Sequence, residues 1–102
     1  MNVRFSENEI RFRVTSQEFD RVKTGEPLQL ETIPFTFIVQ MAKKPLAQGM
    51  VLDLSRDAVH LVISPEEIES LQGRLPSRHG IEKRLTLANE KTLDVAFEID
   101  IR

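Results

Sequence analysis

The residues best suited to ligand binding in this sequence are three arginines near its beginning. Arg4, Arg11 and Arg13 fall on the polar side of two short segments in which apolar and polar residues alternate. They therefore share one face of a predicted hairpin. A guanidinium group matches phosphate and carboxylate groups with paired donors. The three arginines thus predict an anion-binding face.

Acidic residues near the end of the chain suggest a different use for these arginines. Asp94, Glu98 and Asp100 lie on the polar side of the last alternating segment. If that segment pairs with the first hairpin, cross-strand ion pairs take up the guanidinium groups. The alternative to a binding site is then a solvated, salt-bridged surface, on which each pair contributes at most about 1 kcal/mol.

Glu98 and Asp100, followed by Arg102, offer a second kind of chemistry. Two carboxylates on one strand face could hold Mg²⁺ through water molecules. This pattern is loosely similar to triphosphate tunnel enzymes, which line an eight-stranded barrel with alternating acidic and basic residues. The chain of 102 residues is short for a wide lumen, and its apolar side chains need the interior. A surface position for these carboxylates is therefore the simpler interpretation.

The two histidines are not spaced as metal ligands. His79 lies in a predicted loop with Arg74 and Arg78, where a basic segment could contact an anion, although a solvated loop explains the pattern as well. His60 lies on the polar side of its strand. The sequence has no cysteine, no G-x-S-x-G motif and no phosphate-binding glycine loop. We predict no catalytic residue, no metal and no cofactor, and the residue types favour a protein without enzymatic activity.

Length, composition and charge narrow the classes of protein. A chain of 102 residues with 40% hydrophobic and 29% charged residues predicts a single globular domain, residues 1–102. The net charge of −2 does not favour nucleic-acid binding, which usually needs a basic surplus. There is no apolar stretch that resembles a signal peptide or a membrane span. These features predict a cytoplasmic protein that does not contact a membrane.

Alternation and helix signals place the elements. Strands are predicted at 3–5, 9–14, 27–32, 35–42, 50–55, 58–63, 81–88 and 92–101. Thr15 with Glu18, and Ser64 with Glu67, form two capping boxes, which predict one helix over 16–24 and another from Pro65 to Gly73. Five of the six phenylalanines fall on core-facing strand positions: Phe5, Phe12, Phe35, Phe37 and Phe97.

The two halves match at a spacing of 49 residues. Ile10, Phe12 and Val14 fall on Val59, Leu61 and Ile63, and the two capping boxes coincide. This pattern predicts a pseudo-duplicated ββαββ unit, with repeats at about 1–42 and 50–102. The fold class is therefore α+β, with two short helices and eight mostly antiparallel strands in a barrel-like or two-sheet core. We favour the barrel, because closure removes exposed strand edges.

Several residues of the first segment carry a resemblance to a known family. Val3-Arg4 is followed by Ile10-Arg11-Phe12-Arg13-Val14-Thr15, then Glu18 and Gly25. This pattern resembles a family of small bacterial proteins of unknown function, which open with a hydrophobic-Arg pair and an I-R-x-R-hydrophobic-T segment. The resemblance implies a bacterial origin and no assigned chemistry.

Two function hypotheses remain open. The first is a non-enzymatic binding or assembly module, acting through its polar strand faces or as a homodimer through an unpaired strand edge. The second is a small anion-binding domain or enzyme that uses Arg4, Arg11 and Arg13 with acidic residues of the last strand. The partners of the three arginines distinguish the two.

Overall fold

A computed structural model describes residues 1–76 and 79–100. Strands and helices follow one another in the order ββαββ, twice. Their bounds are β1 Asn2–Ser6, β2 Glu9–Thr15, α1 Ser16–Lys23, β3 Leu28–Glu31, β4 Thr36–Met41, β5 Met50–Leu54, β6 Ala58–Ile63, α2 Pro65–Gly73, β7 Ile81–Thr86 and β8 Thr92–Asp100. The predicted elements are present with ends shifted by one or two residues. Ile101, the predicted end of the last strand, lies outside the described residues. Neither α1 nor α2 is long and apolar enough to cross a membrane.

The strands form two four-stranded sheets. Sheet A has the order β1-β2-β8-β7, and sheet B has the order β3-β4-β6-β5. Each outer pair is an antiparallel hairpin. The two central pairs, β2 with β8 and β4 with β6, are parallel. The predicted α+β class, with eight mostly antiparallel strands and two short helices, is therefore confirmed.

The two sheets are built by an exchange of hairpins between the ββαββ units. The first hairpin of each unit pairs with the second hairpin of the other unit. Phe12 of β2 and Leu61 of β6 are equivalent central residues, 49 positions apart in the sequence. Phe12 stands opposite Phe97, and Leu61 stands opposite Val39. These two opposite residues are 58 positions apart. The second unit is longer because its connections are longer. We call positions related in this way equivalent positions.

The barrel-like arrangement is wrong, and the two-sheet alternative holds. Each sheet ends in two edge strands, and β5 and β7 lie side by side at one corner without joining the sheets into one ladder. The physical reason is that side chains from both inner faces, together with the helices, fill the space between the sheets. The sheets therefore pack face to face instead of closing at their ends.

The core consists of alternating side chains from both sheets and one side of each helix. Phe12, Phe97, Val39 and Leu61 are fully buried at its centre. The helices contribute the buried side chains of Phe19 and Val22 from α1, and of Ile68 and Leu71 from α2. The apolar side chains of the helices and of the strands therefore form a single hydrophobic cluster.

Two phenylalanines that alternation placed in the core are exposed. Phe5 is 59% exposed at the end of the edge strand β1, and Phe35 is 38% exposed just before β4. Leu54, the position on β5 equivalent to Phe5, is 55% exposed. Phe5 and Leu54 point to the core side of their sheets, but the end of an edge strand has a neighbouring strand on one side only. Phe35 lies in the turn between β3 and β4, outside the sheet. The core prediction for Phe5 and Phe35 is therefore wrong.

The first helix begins as the sequence predicts. Thr15 Oγ1 accepts a hydrogen bond from the backbone N–H of Glu18 at 3.1 Å, and Glu18 Oε1 accepts from the N–H of Thr15 at 2.9 Å. The capping box satisfies two amides that the first turn of α1 leaves without a helical partner.

The second capping box is a wrong prediction. Ser64 is buried; its hydroxyl accepts from the N–H of Leu46 at 3.2 Å and donates to the carboxylate of Glu66. Its own N–H donates to the carbonyl oxygen of Gly49 at 2.8 Å. The loop before β5 therefore takes the bonds that a capping box needs, and Glu67 is free to turn elsewhere.

Glu67 instead forms an ion pair across the corner where β5 and β7 meet. Lys83 of β7 lies on the core side of its strand, and its Nζ is 2.7 Å from Glu67 Oε1. Gly49 passes close to this pair with a φ of +80°, and a Cβ there would lie 2.7 Å from Glu67 Oε1. Glycine at this position therefore allows both the positive φ and the ion pair.

Candidate functional site

The outer face of sheet A, which we call the charged face, is organised around Arg11. Arg11 donates from Nε to Glu9 at 2.8 Å, from Nη1 to Glu98 at 3.0 Å and from Nη2 to Glu82 at 3.2 Å. The side chain extends from β2 across β8 to β7. Ala96, which stands opposite Arg11 on β8, is small and buried and leaves room for it. The hydrogen bond with Glu9 raises the pKa of Arg11 above its usual value, despite partial desolvation.

Arg4 and Arg13 have fewer carboxylate partners than Arg11. Arg13 Nε lies 3.4 Å from Glu98 Oε1. Arg4 forms no ion pair with any residue of 1–76 and 79–100. Both line a depression of about 230 Å³, together with Asp100 and other residues of the first strands. The three predicted arginines thus share one face, but Arg11 is surrounded by carboxylates and only Arg4 and Arg13 line this depression.

Glu18 lies at the margin of the same depression and is itself paired. Its Oε2 is 2.8 Å from the ammonium group of Met1. Burial alone would raise the pKa of Glu18, but the hydrogen bonds from the Met1 ammonium and the Thr15 amide outweigh burial and lower it below its usual value. The carboxylate of Glu18 is therefore held in its charged form.

A second ion pair completes the charged face on its β7 side. Arg84 forms a bidentate pair with Asp94, with Nε to Oδ1 at 2.8 Å and Nη2 to Oδ2 at 3.3 Å. The hydrogen bond from Arg84 lowers the pKa of Asp94 below its usual value. A depression of about 340 Å³ above Ala96 is lined by Arg84, Asp94, Glu9 and Glu82. The charges of these four residues are paired with one another or with Arg11.

The carboxylates that suggested a Mg²⁺ site are engaged differently. Glu98 has one oxygen near Arg11 and the other near Arg13. In the described part of the chain, no three histidine, aspartate or glutamate side chains converge in a way that could hold a metal ion. Arg102, the last residue of that motif, lies outside the described residues.

The two histidines occupy separate places. The carbonyl oxygen of His79 accepts a hydrogen bond from Arg74 Nη1 at 3.3 Å, and Arg78, the other basic residue of that predicted cluster, lies outside the described residues. His60 lies half-buried on the outer face of sheet B, as its polar strand position predicts. Its Nε2 is buried and has no hydrogen-bond partner among residues 1–76 and 79–100.

The outer face of sheet B, which we call the neutral face, carries uncharged residues at the places where the charged face has the three carboxylates of Arg11. Its own two carboxylates lie elsewhere, with Asp53 opposite His60 on β5 and Glu31 at the end of β3. His60 and Ile38 stand opposite each other, as Arg11 and Ala96 do on sheet A. The other equivalent residues on the neutral face are Gln40 for Glu98, Gln29 for Glu82, Val62 for Arg13 and Ala58 for Glu9. His60 therefore lacks the three carboxylates that surround Arg11.

The neutral face ends at β5, an edge strand with exposed apolar side chains. Val51 is 43% exposed on the outer side of β5, and Leu54 is exposed on its core side. A groove of about 360 Å³ runs along this edge, between β5 with its preceding loop and the end of β7. Its apolar walls include Met50, Leu52 and Leu85.

Reasoning from the sequence missed Glu82 and Glu9 as partners of Arg11. Glu82 stands opposite Ala96 in the β7–β8 hairpin. It therefore lies two strands away from Arg11, whereas Glu98 lies on the neighbouring strand β8. The turn at Asn89-Glu90 could have fixed that register, but the parallel pairing of β2 with β8 joins residues from opposite ends of the chain. No local pattern reports such a pairing.

Comparison with known proteins gives a family without an assigned activity. The model of DUF7009, a family of unknown function, matches residues 1–102, and the chain belongs to this family. No curated protein and no solved structure matches it. The resemblance expected from the first segment, to an uncharacterised family, is confirmed.

Proposed function

We propose that this member of DUF7009 is a non-enzymatic binding module that receives an extended segment of protein chain on the open edge of β5. The observation that carries the proposal is the edge itself, which presents exposed apolar side chains beside an apolar groove. Addition of a strand to a sheet edge is a common mode of protein recognition, in which the backbone gives affinity and pockets for alternate side chains give specificity.

Of the four edge strands, β5 has the most apolar sequence. Proteins protect edge strands with charged residues, proline, short length or an inward-pointing charge. Strand β7 has the inward Lys83, β1 has Arg4, and β3 is four residues long and follows Pro27. Strand β5 has one charged residue, Asp53, among four apolar ones.

The backbone of β5 offers its free groups at every second residue. Ser55 N–H donates to the Ala58 carbonyl oxygen at 2.9 Å, and Ser64 N–H donates to that of Gly49 at 2.8 Å. Because bonding alternates along an antiparallel ladder, Val51 and Asp53 also turn their backbone groups toward β6. The groups of residues 50, 52 and 54 turn toward the open edge and can pair with an added strand.

The charged face supports a binding module more than an anion-dependent enzyme. Arg11, the central predicted anion ligand, donates to three carboxylates. Displacement of those carboxylates by a ligand would leave three like charges close together, which opposes binding.

The test is a titration of the ¹⁵N-labelled protein with a probe strand, followed by NMR. The probe is an acetylated and amidated nine-residue peptide in which leucine alternates with threonine, with a lysine at each end. We expect shifts of the amides of residues 50–54 and of Leu85 and Leu87. Leu54→Pro removes one outward N–H and no β6 hydrogen bond, so it should weaken binding at least tenfold.

Phe5→Pro is the matched control, because Phe5 is the equivalent position on β1. It should leave the affinity for the probe unchanged, and circular dichroism should show that both variants fold. Shifts confined to the charged face, or no shifts at 1 mM peptide, would rule the proposal out.

A second candidate is anion binding at Arg4 and Arg13, favoured by the absence of an ion pair at Arg4 among the described residues. Titration with inorganic phosphate should then raise the melting temperature, and the double variant Arg4→Gln/Arg13→Gln should abolish that rise. Arg21→Gln, on the exposed side of α1, serves as the control for non-specific charge effects. An equal response of all three proteins would exclude the site.

A further inference from the structure

We infer that the strand received by β5 is β5 of a second copy of this chain, paired antiparallel about a twofold axis at Leu52. This inference rests on the proposed function, because it names the occupant of the same edge. Three features of β5 point to self-pairing: the symmetric spacing of its free backbone groups, a side chain and groove that fit each other, and the placement of its one charge.

The free backbone groups are symmetric about Leu52. Residues 50, 52 and 54 turn their N–H and C=O groups to the open edge, as the bonds of Ser55 and Ser64 to their partners fix. A twofold axis at Leu52 places Leu52 opposite its copy and Met50 opposite Leu54 of the second copy. Every outward backbone N–H and C=O group of Met50–Leu54 then faces an outward backbone group of the second copy.

The same axis brings an exposed side chain to an apolar groove. Leu54 is 55% exposed on the core side of β5. Met50, which stands opposite it in the pair, lines the groove of about 360 Å³ together with Leu85 and Leu87. Leu54 of each copy therefore covers the groove of the other copy. The interface buries the Leu54 side chains and the grooves of both copies. This reciprocal fit distinguishes a second copy from an arbitrary strand.

The single charge of the strand is not directly opposed by its copy in the pairing. Asp53, the only charged residue of β5, stands opposite Val51 of the second copy and not opposite another Asp53. The two neutral faces join into one continuous outer surface, on which the two Asp53 residues are diagonal neighbours about 7–8 Å apart and not a directly opposed pair. The area of a strand-edge contact is small, so we expect a weak dimer with a dissociation constant of about 10–500 µM.

Sedimentation velocity from 10 µM to 1 mM tests the dimer. The wild-type sedimentation coefficient should rise with concentration. Leu54→Pro should abolish the rise, and Leu54→Ala, which keeps the outward N–H but empties the groove, should weaken dimerisation at least fivefold. Phe5→Pro should behave as the wild type.

Cysteine cross-linking tests the register, since the chain contains no cysteine of its own. In the proposed pair Val51 and Asp53 of the second copy form a non-hydrogen-bonded pair, whose Cα atoms lie about 4.5 Å apart, close enough for a disulfide. A mixture of Val51→Cys and Asp53→Cys proteins should form a disulfide dimer at least tenfold faster than either variant alone.

The outcomes separate this inference from the proposed function. A protein that stays monomeric at 1 mM but binds the probe peptide at β5 overturns the second copy and retains the binding edge. Faster cross-linking of one variant with itself overturns the register at Leu52. A dimer that survives Leu54→Pro and is lost in Phe5→Pro lies at β1 and overturns the inference.

Discussion

The charged face and the neutral face occupy equivalent positions on the two sheets, yet their chemistry is opposite. Arg11 is surrounded by three carboxylates, whereas His60 has an amide or an alanine at each corresponding place. Both sheets nevertheless have the same order of antiparallel and parallel pairs. Ion pairs are therefore not required to form a sheet of this kind.

The largest expected effect on stability is that of Arg11→Leu. Removal of the guanidinium group leaves Glu9, Glu82 and Glu98 close together without the shared cation. This change should lower the free energy of unfolding by about 1–2 kcal/mol. Urea denaturation in low salt measures the change. Because salt screens half-exposed charges, the loss should shrink in 1 M NaCl. An undiminished loss in high salt would mean that packing over Ala96, and not charge, is the reason.

Leucine at the equivalent position on sheet B, His60, should not lower the free energy of unfolding. His60→Leu removes a buried Nε2 without a hydrogen-bond partner and adds an apolar side chain beside Ile38. We expect the free energy of unfolding to stay equal or to rise by up to about 1 kcal/mol. A clear loss of stability would show that the imidazole of His60 stabilises the neutral face. Urea denaturation at pH 7.5 gives the measurement.

The smallest expected effect concerns Glu18, whose equivalent, Glu67, pairs with Lys83 instead of the Met1 ammonium. The pKa of Glu18 is lowered in the folded protein. Its charge therefore stabilises the fold above the ordinary glutamate pKa of about 4.3, and that contribution is lost as the pH falls through the folded-state pKa.

Glu18→Gln keeps an oxygen for the capping box but removes the charge. At pH 7 it should lower the free energy of unfolding by about 0.5 kcal/mol, and the difference from wild type should shrink as the pH falls below the ordinary glutamate pKa of about 4.3 and through the lowered pKa of the folded protein. Thermal unfolding at pH 7, 5 and 3.5 follows this difference. A difference that is constant with pH would assign the effect to the cap and not to the charge.

Local patterns predicted the elements well, and their failures have local reasons too. The Thr15 capping box formed, with Thr15 Oγ1 accepting from the N–H of Glu18 and Glu18 Oε1 accepting from the N–H of Thr15. Ser64 carries the same motif, but the N–H of Leu46 and the carboxylate of Glu66 engage its hydroxyl first. Phe5 and Phe12 alternate alike in the sequence, and only the sheet order shows that one lies on an edge strand and the other at the centre.

The candidate site was harder to predict, since it depends on pairing between distant strands. That Arg4, Arg11 and Arg13 share a face follows from the hairpin. That Arg11 is held by Glu82 and Glu98 requires the order β2-β8-β7, which no alternation reveals. The open edge of β5 is invisible for the same reason, because Met50–Leu54 has the pattern of an ordinary buried strand.

The exchange of hairpins has a consequence for how the molecule folds. The four strands of sheet B follow one another between Leu28 and Ile63, whereas sheet A joins Asn2–Thr15 to Ile81–Asp100. Loop closure makes contacts between distant segments slower to form. We therefore expect the backbone amides of sheet B to gain protection before those of sheet A when hydrogen exchange is followed during refolding. The charged face would then be assembled last, when β8 enters beside β2 and brings Glu98 to Arg11.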